Sequence, residues 1–131
     1  MGMTSLGRHL LGEYHGCDRE LLNRPEHIRA ELLAAVTHSG ATPIQDFVHT
    51  FTPHGVTGIV VIAESHFAIH TWPEYGYAAV DLFTCGDSVD PWRAFERLAS
   101  SLRAGSHSVV EIRRGILPAR EGQRLPHKPG A

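Results

Sequence analysis

Between Thr57 and Cys85 the chain has room for three strands and only turns to join them. Thr57 to Ala63 is a β-branched run whose composition suits a strand buried on both faces. His66 to Trp72 alternates, setting His66, Ala68, His70 and Trp72 on one side and Phe67, Ile69 and Thr71 on the other. Pro73-Glu74-Tyr75-Gly76 reads as a turn, and Ala78 to Cys85 as another strand with Ala79, Asp81, Phe83 and Cys85 sharing a face. A parallel crossover needs a dozen or more residues, so these neighbours must run antiparallel.

The flanking segments complete the plan. Leu6 to Tyr14 and Thr42 to Thr52 read as strands, and Cys17 to Arg24 as a polar turn. Pro25 suits the first turn of a helix whose apolar stripe is Ile28, Leu32, Leu33 and Val36, with Gly40 past its end. Asp90-Pro91 starts a second helix with Trp92, Phe95, Leu98, Ala99 and Leu102 on one stripe and Gly105 beyond it. His107 to Arg114 gives a last strand. The expected fold is α+β: a two-layer sandwich with a mostly antiparallel sheet and both helices on one face. The other sheet face needs a cover, which a second subunit in a dimer supplies.

At 131 residues this is one domain, residues 1–117, followed by a Pro- and Gly-rich, loosely ordered tail over 118–131. A formal net charge of −2 offers no basic field for nucleic acid and no polybasic membrane patch. The apolar runs are too short to span a bilayer, and MGMTSLGRHL lacks a signal-peptide core, so the expected location is cytoplasmic. Cys17 and Cys85 form no CxxC and are expected as free thiols.

Reactive side chains concentrate in AESHFAIHTWPEYGYAAVDLFTCG, residues 63–86. Singly, each has a bland reading. Ser65 could be a turn residue, Trp72 and Phe51 core, and Asp81 simply paired. His66, His70 and Cys85 would make a short ligand set for Zn²⁺, without a fourth ligand or a spacing signature, so no metal is assigned. A serine hydrolase needs a nucleophile turn such as GxSxG, which is missing.

Taken together, ESHFAIHTWPEYGYAAVDLFTCG resembles the signature of prokaryotic S-adenosylmethionine decarboxylases, pyruvoyl enzymes of spermidine synthesis. SLGRHL, CDRE, SGAT, PHGVTGIVVIAESH and DPWRAFE extend the resemblance over most of the chain. It implies self-cleavage between Glu64 and Ser65 into fragments 1–64 and 65–131. Ser65 then becomes a covalent pyruvoyl cofactor that forms a Schiff base with the substrate, S-adenosylmethionine. It further implies His70 as proton acceptor in processing, Thr57 as a processing aid, and Cys85 as proton donor in decarboxylation. Phe51 and Trp72 correspond to residues that sandwich the adenine, and Glu74 to the carboxylate holding the ribose hydroxyls. A carbonyl of this kind supplies the electron sink that no ordinary side chain offers. The chain's one lysine, Lys128, lies in the tail, far from this motif. The alternatives are a pyruvoyl decarboxylase of arginine or ornithine on the same scaffold, or a non-processing regulatory homologue.

One distance constrains all of this. On a straight strand Ser65 and His70 would stand roughly 16 Å apart on opposite faces. They can meet only if the chain turns sharply at Ser65 or a neighbouring strand or subunit brings them together, so Glu64-Ser65 is expected in a tight connection between two strands.

Overall fold

The computed structural model describes residues 3–118. The order is β1 (Met3–His15), α1 (Arg19–Leu22), α2 (Pro25–His38), β2 (Pro43–Thr50), β3 (Val56–Ile62), β4 (Ser65–Trp72), a 3-10 turn (Pro73–Tyr75), β5 (Tyr77–Cys85), α3 (Pro91–Ser101) and β6 (Ser106–Pro118). The six strands form one sheet in the order β2-β3-β4-β5-β1-β6, antiparallel at every pairing. This is the expected α+β layering, with one addition. Asp18 caps a four-residue helix in the segment read as a turn, its carboxylate accepting from Leu21 N–H at 3.1 Å. Beyond Pro118 the expected tail lies outside the described residues.

Helix starts follow local chemistry. Asp90 accepts from the Trp92 N–H at 3.0 Å and Pro91 occupies the first turn of α3. Pro25 does the same for α2, where Arg24 makes no side-chain cap and Glu26 supplies negative charge to the first turn. α2 lies across β2, β3 and β4, and α3 across β1 and β5. Between helices and sheet sit Leu10, Ile28, Leu32, Val60, Phe67, Ile69, Leu82, Phe95 and Leu98, all almost fully buried. Gly12 makes this packing possible, because a Cβ there would fall 2.4 Å from the Phe95 ring.

Two polar ties cross this layer. The buried Tyr14 hydroxyl donates to the Phe95 carbonyl at 2.6 Å, and burial drives its pKa far above the ordinary phenol value, so it remains a donor. The Trp92 indole N–H donates to Glu111 of β6 at 3.0 Å, and Arg8 reaches the same oxygen at 3.3 Å. The indole bond first, then the arginine, hold the Glu111 carboxyl below its usual range.

The other face of the sheet is open and largely apolar. Phe47, Ile59, Val61, Leu11, Val110 and Ile112 all lie exposed on it, Phe47 at 61%. β3 is therefore not buried on both sides: its residues alternate, with Val56, Gly58, Val60 and Ile62 against the helices and Thr57, Ile59 and Val61 outward. Among the described residues no helix is long and apolar enough to cross a membrane. Replacing Tyr14 with Phe is expected to cost about 1 kcal/mol of stability, since it removes one buried hydrogen bond. Denaturant unfolding at constant m-value measures it.

Candidate active site

β3 and β4 are joined by the shortest of hairpins. Ile62 pairs with Ser65, so Ala63 and Glu64 alone make the turn. Favoured two-residue hairpins put the first or both central residues in the left-handed region. Here Glu64, the second, is left-handed at φ 70°. For a residue with a Cβ that conformation costs on the order of 1 kcal/mol.

Ser65 is the first residue of β4 and is nearly buried, 9% exposed. Its hydroxyl donates to Cys85 Sγ at 3.3 Å, and the Cys85 thiol faces the Glu64 carbonyl oxygen at 3.8 Å. Cys85 ends β5, two strands from β3, and pairs with Gly7 of β1. A Cβ on Gly7 would meet the Phe83 ring at 2.6 Å, the Thr84 carbonyl at 2.8 Å and Cys85 Sγ at 3.2 Å. The absence of a side chain there is what allows the thiol its place. A hydroxyl, the carbonyl of the preceding peptide and a thiol thus meet at one end of the sheet. The other cysteine, Cys17, is buried, and desolvation pushes its thiol up to about 11.

At the other end of β4, Thr57 lies directly across from His70, with 2.9 Å between Thr57 Oγ1 and His70 Nδ1. Trp72 follows on the same face, 40% exposed, its ring 5.3 Å from Tyr77 and 6.5 Å from His70. The Tyr77 hydroxyl donates to Glu13, and burial followed by that bond raises its pKa to about 12. Glu74 sits in the 3-10 turn with His54 Nε2 3.1 Å from its carboxylate, beside an open cavity of about 460 Å³. Phe51, 51% exposed, begins the β2–β3 connection, edge-on to His49 at 4.7 Å.

The eight-residue reading thus falls into two groups. Glu64, Ser65 and Cys85 form one, and Thr57, His70, Trp72, Glu74 and Phe51 lie at the opposite end of the strands. Glu64-Ser65 does occupy a tight connection. His70, however, stands five residues along β4 from Ser65, about 16 Å at strand spacing. Between the groups lies a cluster that sequence reasoning did not assemble. His9 stacks on Phe83 at 5.1 Å with Asp81 3.5 Å from its Nε2, and His66 meets both rings edge-on. Burial lowers the pKa of His9, and Asp81 opposes the shift. Neither this cluster nor the pairs at either end gathers three His, Cys, Asp or Glu side chains around a metal position, among the described residues. His54 and Gly7 were also missed, although PHG and SLGRHL mark them in the sequence.

The family model for S-adenosylmethionine decarboxylase matches residues 8–115. The chain belongs to the S-adenosylmethionine decarboxylase family. An S-adenosylmethionine decarboxylase proenzyme of Thermotoga maritima is 57% identical over 113 residues, covering 86% of this chain and 87% of that protein. A proenzyme of the same name from Caldicellulosiruptor saccharolyticus is 47% identical over 114 residues, covering 87% and 92%. The crystal structure of the adenosylmethionine decarboxylase from Aquifex aeolicus superposes with a TM-score of 0.84 at 38% identity, covering 92% of this chain and 99% of that one. The fold around both groups of residues is thus the family fold. Gly7→Ala is expected to destabilise the protein by about 1–3 kcal/mol through overpacking against Phe83 and the Thr84 carbonyl. Thermal unfolding of the variant checks it.

Proposed function

We propose that this chain is a self-processing decarboxylase of S-adenosylmethionine whose electron-accepting carbonyl is made from Ser65. The observation that carries this reading is the meeting of Glu64 O, Ser65 Oγ and Cys85 Sγ at the β3–β4 turn. The Ser65 hydroxyl attacks the Glu64 carbonyl carbon, and the amide becomes an ester with the Ser65 nitrogen freed. His70 removes the Ser65 α-proton, the ester breaks at the serine Cβ–O bond, and residues 1–64 leave with a carboxylate. The dehydroalanine left at residue 65 takes up water and loses ammonia, giving a pyruvoyl group at the head of residues 65–131. The strained φ of Glu64 favours this step, since cleavage relieves it.

Once formed, that carbonyl supplies the electron sink for loss of CO₂ from an amino acid. The residues around it do the rest. Cys85 holds a proton within reach of residue 65 and returns it to the substrate α-carbon. Phe51 and Trp72 offer flat, exposed rings to adenine and to a sulfonium cation, and the Glu74 carboxylate accepts from the ribose hydroxyls. Arginine and ornithine would use none of these three, which favours the nucleoside substrate.

The separation of the two groups argues for a dimer. A catalytic end and a clamp end some 16 Å apart cannot serve one substrate within a single chain. Packing the open apolar face against a second copy, in antiparallel sense, would bring the Thr57–His70 pair and the clamp of one chain to Ser65 and Cys85 of the other. It would also bury the exposed side chains of β2, β3 and β6. With free Cys17 and Cys85, the protein suits the reducing cytoplasm.

Intact-mass measurement tests the cleavage. The 14.4 kDa chain is expected to give two fragments of about half that mass, and Ser65→Ala none. A wild-type chain that stays whole on incubation would remove the mechanism. Cys85→Ala is expected to cleave yet lose about 100-fold or more in decarboxylation, following the usual worth of a positioned acid. Complementation tests the composite site. Neither Ser65→Ala nor His70→Ala should cleave alone, but the two co-expressed should yield cleaved His70→Ala chain. Its absence from isolated mixed dimers would place serine and histidine in the same chain.

A further inference from the structure

The β2–β3 connection, residues 51–55, carries Phe51 at its start and His54 near its end. Its backbone closes on itself through Phe51 N–H and the Gly55 carbonyl, 2.9 Å apart. The Gly55 N–H then donates to the Asn23 side chain at 3.0 Å, fastening the loop to the end of α1. A third contact goes elsewhere. His54 Nε2 lies 3.1 Å from Glu74 Oε2, linking this loop to the 3-10 turn after β4. Arg19 and Glu20 of α1 and Arg24, just before α2, are the other charged groups facing the pair, and Arg24 is turned to Glu20 at 3.4 Å.

A glutamate that binds two vicinal hydroxyls must point in a fixed direction, and its three side-chain torsions work against that. Holding one carboxylate oxygen on an imidazole leaves the second, Oε1, aimed and free to accept. We propose that His54 is a positioning residue for substrate binding: it ties Glu74 to the loop that carries Phe51, so that the ribose-binding carboxylate and the adenine-facing ring are set as one unit. This rests on the reading of Glu74 as the ribose-binding carboxylate.

Both partners are a little over one-third exposed, so the tie is screened and its effect on substrate affinity is modest. The catalytic step at the far end of the strands does not depend on it.

The test is KM and kcat for S-adenosylmethionine. His54→Ala should raise KM about twofold to fivefold. Its kcat and the extent of cleavage at Ser65 should match wild type. His54→Gln, which keeps a neutral donor, should recover most of the wild-type KM. With 2′-deoxy substrate the His54→Ala penalty should shrink, because one of the hydroxyls Glu74 serves is gone. A His54→Ala protein with wild-type KM, beside a Glu74→Gln protein with raised KM, overturns the role of His54 and leaves that of Glu74 standing. A Glu74→Gln protein with unchanged KM overturns both. An equal penalty for ribose and deoxyribose substrates makes His54 a general structural residue and overturns the proposal.

Discussion

The register of the β3–β4 hairpin is the constraint on which the arrangement of this molecule depends. Two residues make the turn, and pairing outward from Ile62 and Ser65 sets Val60 against Phe67, Gly58 against Ile69 and Thr57 against His70. A slip of one residue would send Phe67 and Ile69 to the open face and His70 into the core. Burial of those two side chains under α2 resists it, and pairing of β4 with β5 on its other edge locks the strand from both sides. With that register fixed, Glu64 is held in a conformation it would not choose in a free peptide. The strain sits one bond from Ser65.

The same register explains what could and could not be read from the sequence. Antiparallel pairing, the two longer helices and the open face follow from connection lengths and from apolar periods of two and three to four residues. The opposition of Thr57 and His70 follows by counting outward once the turn is put at Ala63 and Glu64. The contact of Ser65 with Cys85 does not, because it needs a second register, of β4 on β5, set across a longer connection through the 3-10 turn. α1 escaped notice because four residues are too few to display a helical period; only its Asp18 cap marked it. β3 was misjudged for a different reason. A β-branched run looks alike whether both faces meet core or one meets the open side of the sheet. The last strand runs on to Pro118 because β1, its neighbour, extends as far as Met3 to pair with it.

The sheet divides its reactive groups by distance. Ser65 and the Cys85 thiol stand at one end, the Thr57–His70 pair and the flat rings at the other, with the His9–Phe83–His66 cluster between them. Placing both on one rigid sheet fixes each against the core, which loops could not do as well. It also leaves exposed Ile59, Val61 and Phe47 between them, an apolar floor that water covers poorly.

The strand order has a consequence for what a break after Glu64 would do. Residues 1–64 contribute β1, β2 and β3, and residues 65–118 contribute β4, β5 and β6. In the sheet these do not lie side by side: β1 is threaded between β5 and β6, while β3 borders β4. The two pieces are interleaved, and pulling them apart means opening three ladders at once, including the long one between β1 and β6. Severing the backbone would therefore leave the protein a single object. Two separate peptides, by contrast, would have to find each other and intercalate, at a cost in entropy that a continuous chain avoids. A chain broken there would have to fold first and be cut afterwards, the uncut chain serving as the template for its own assembly.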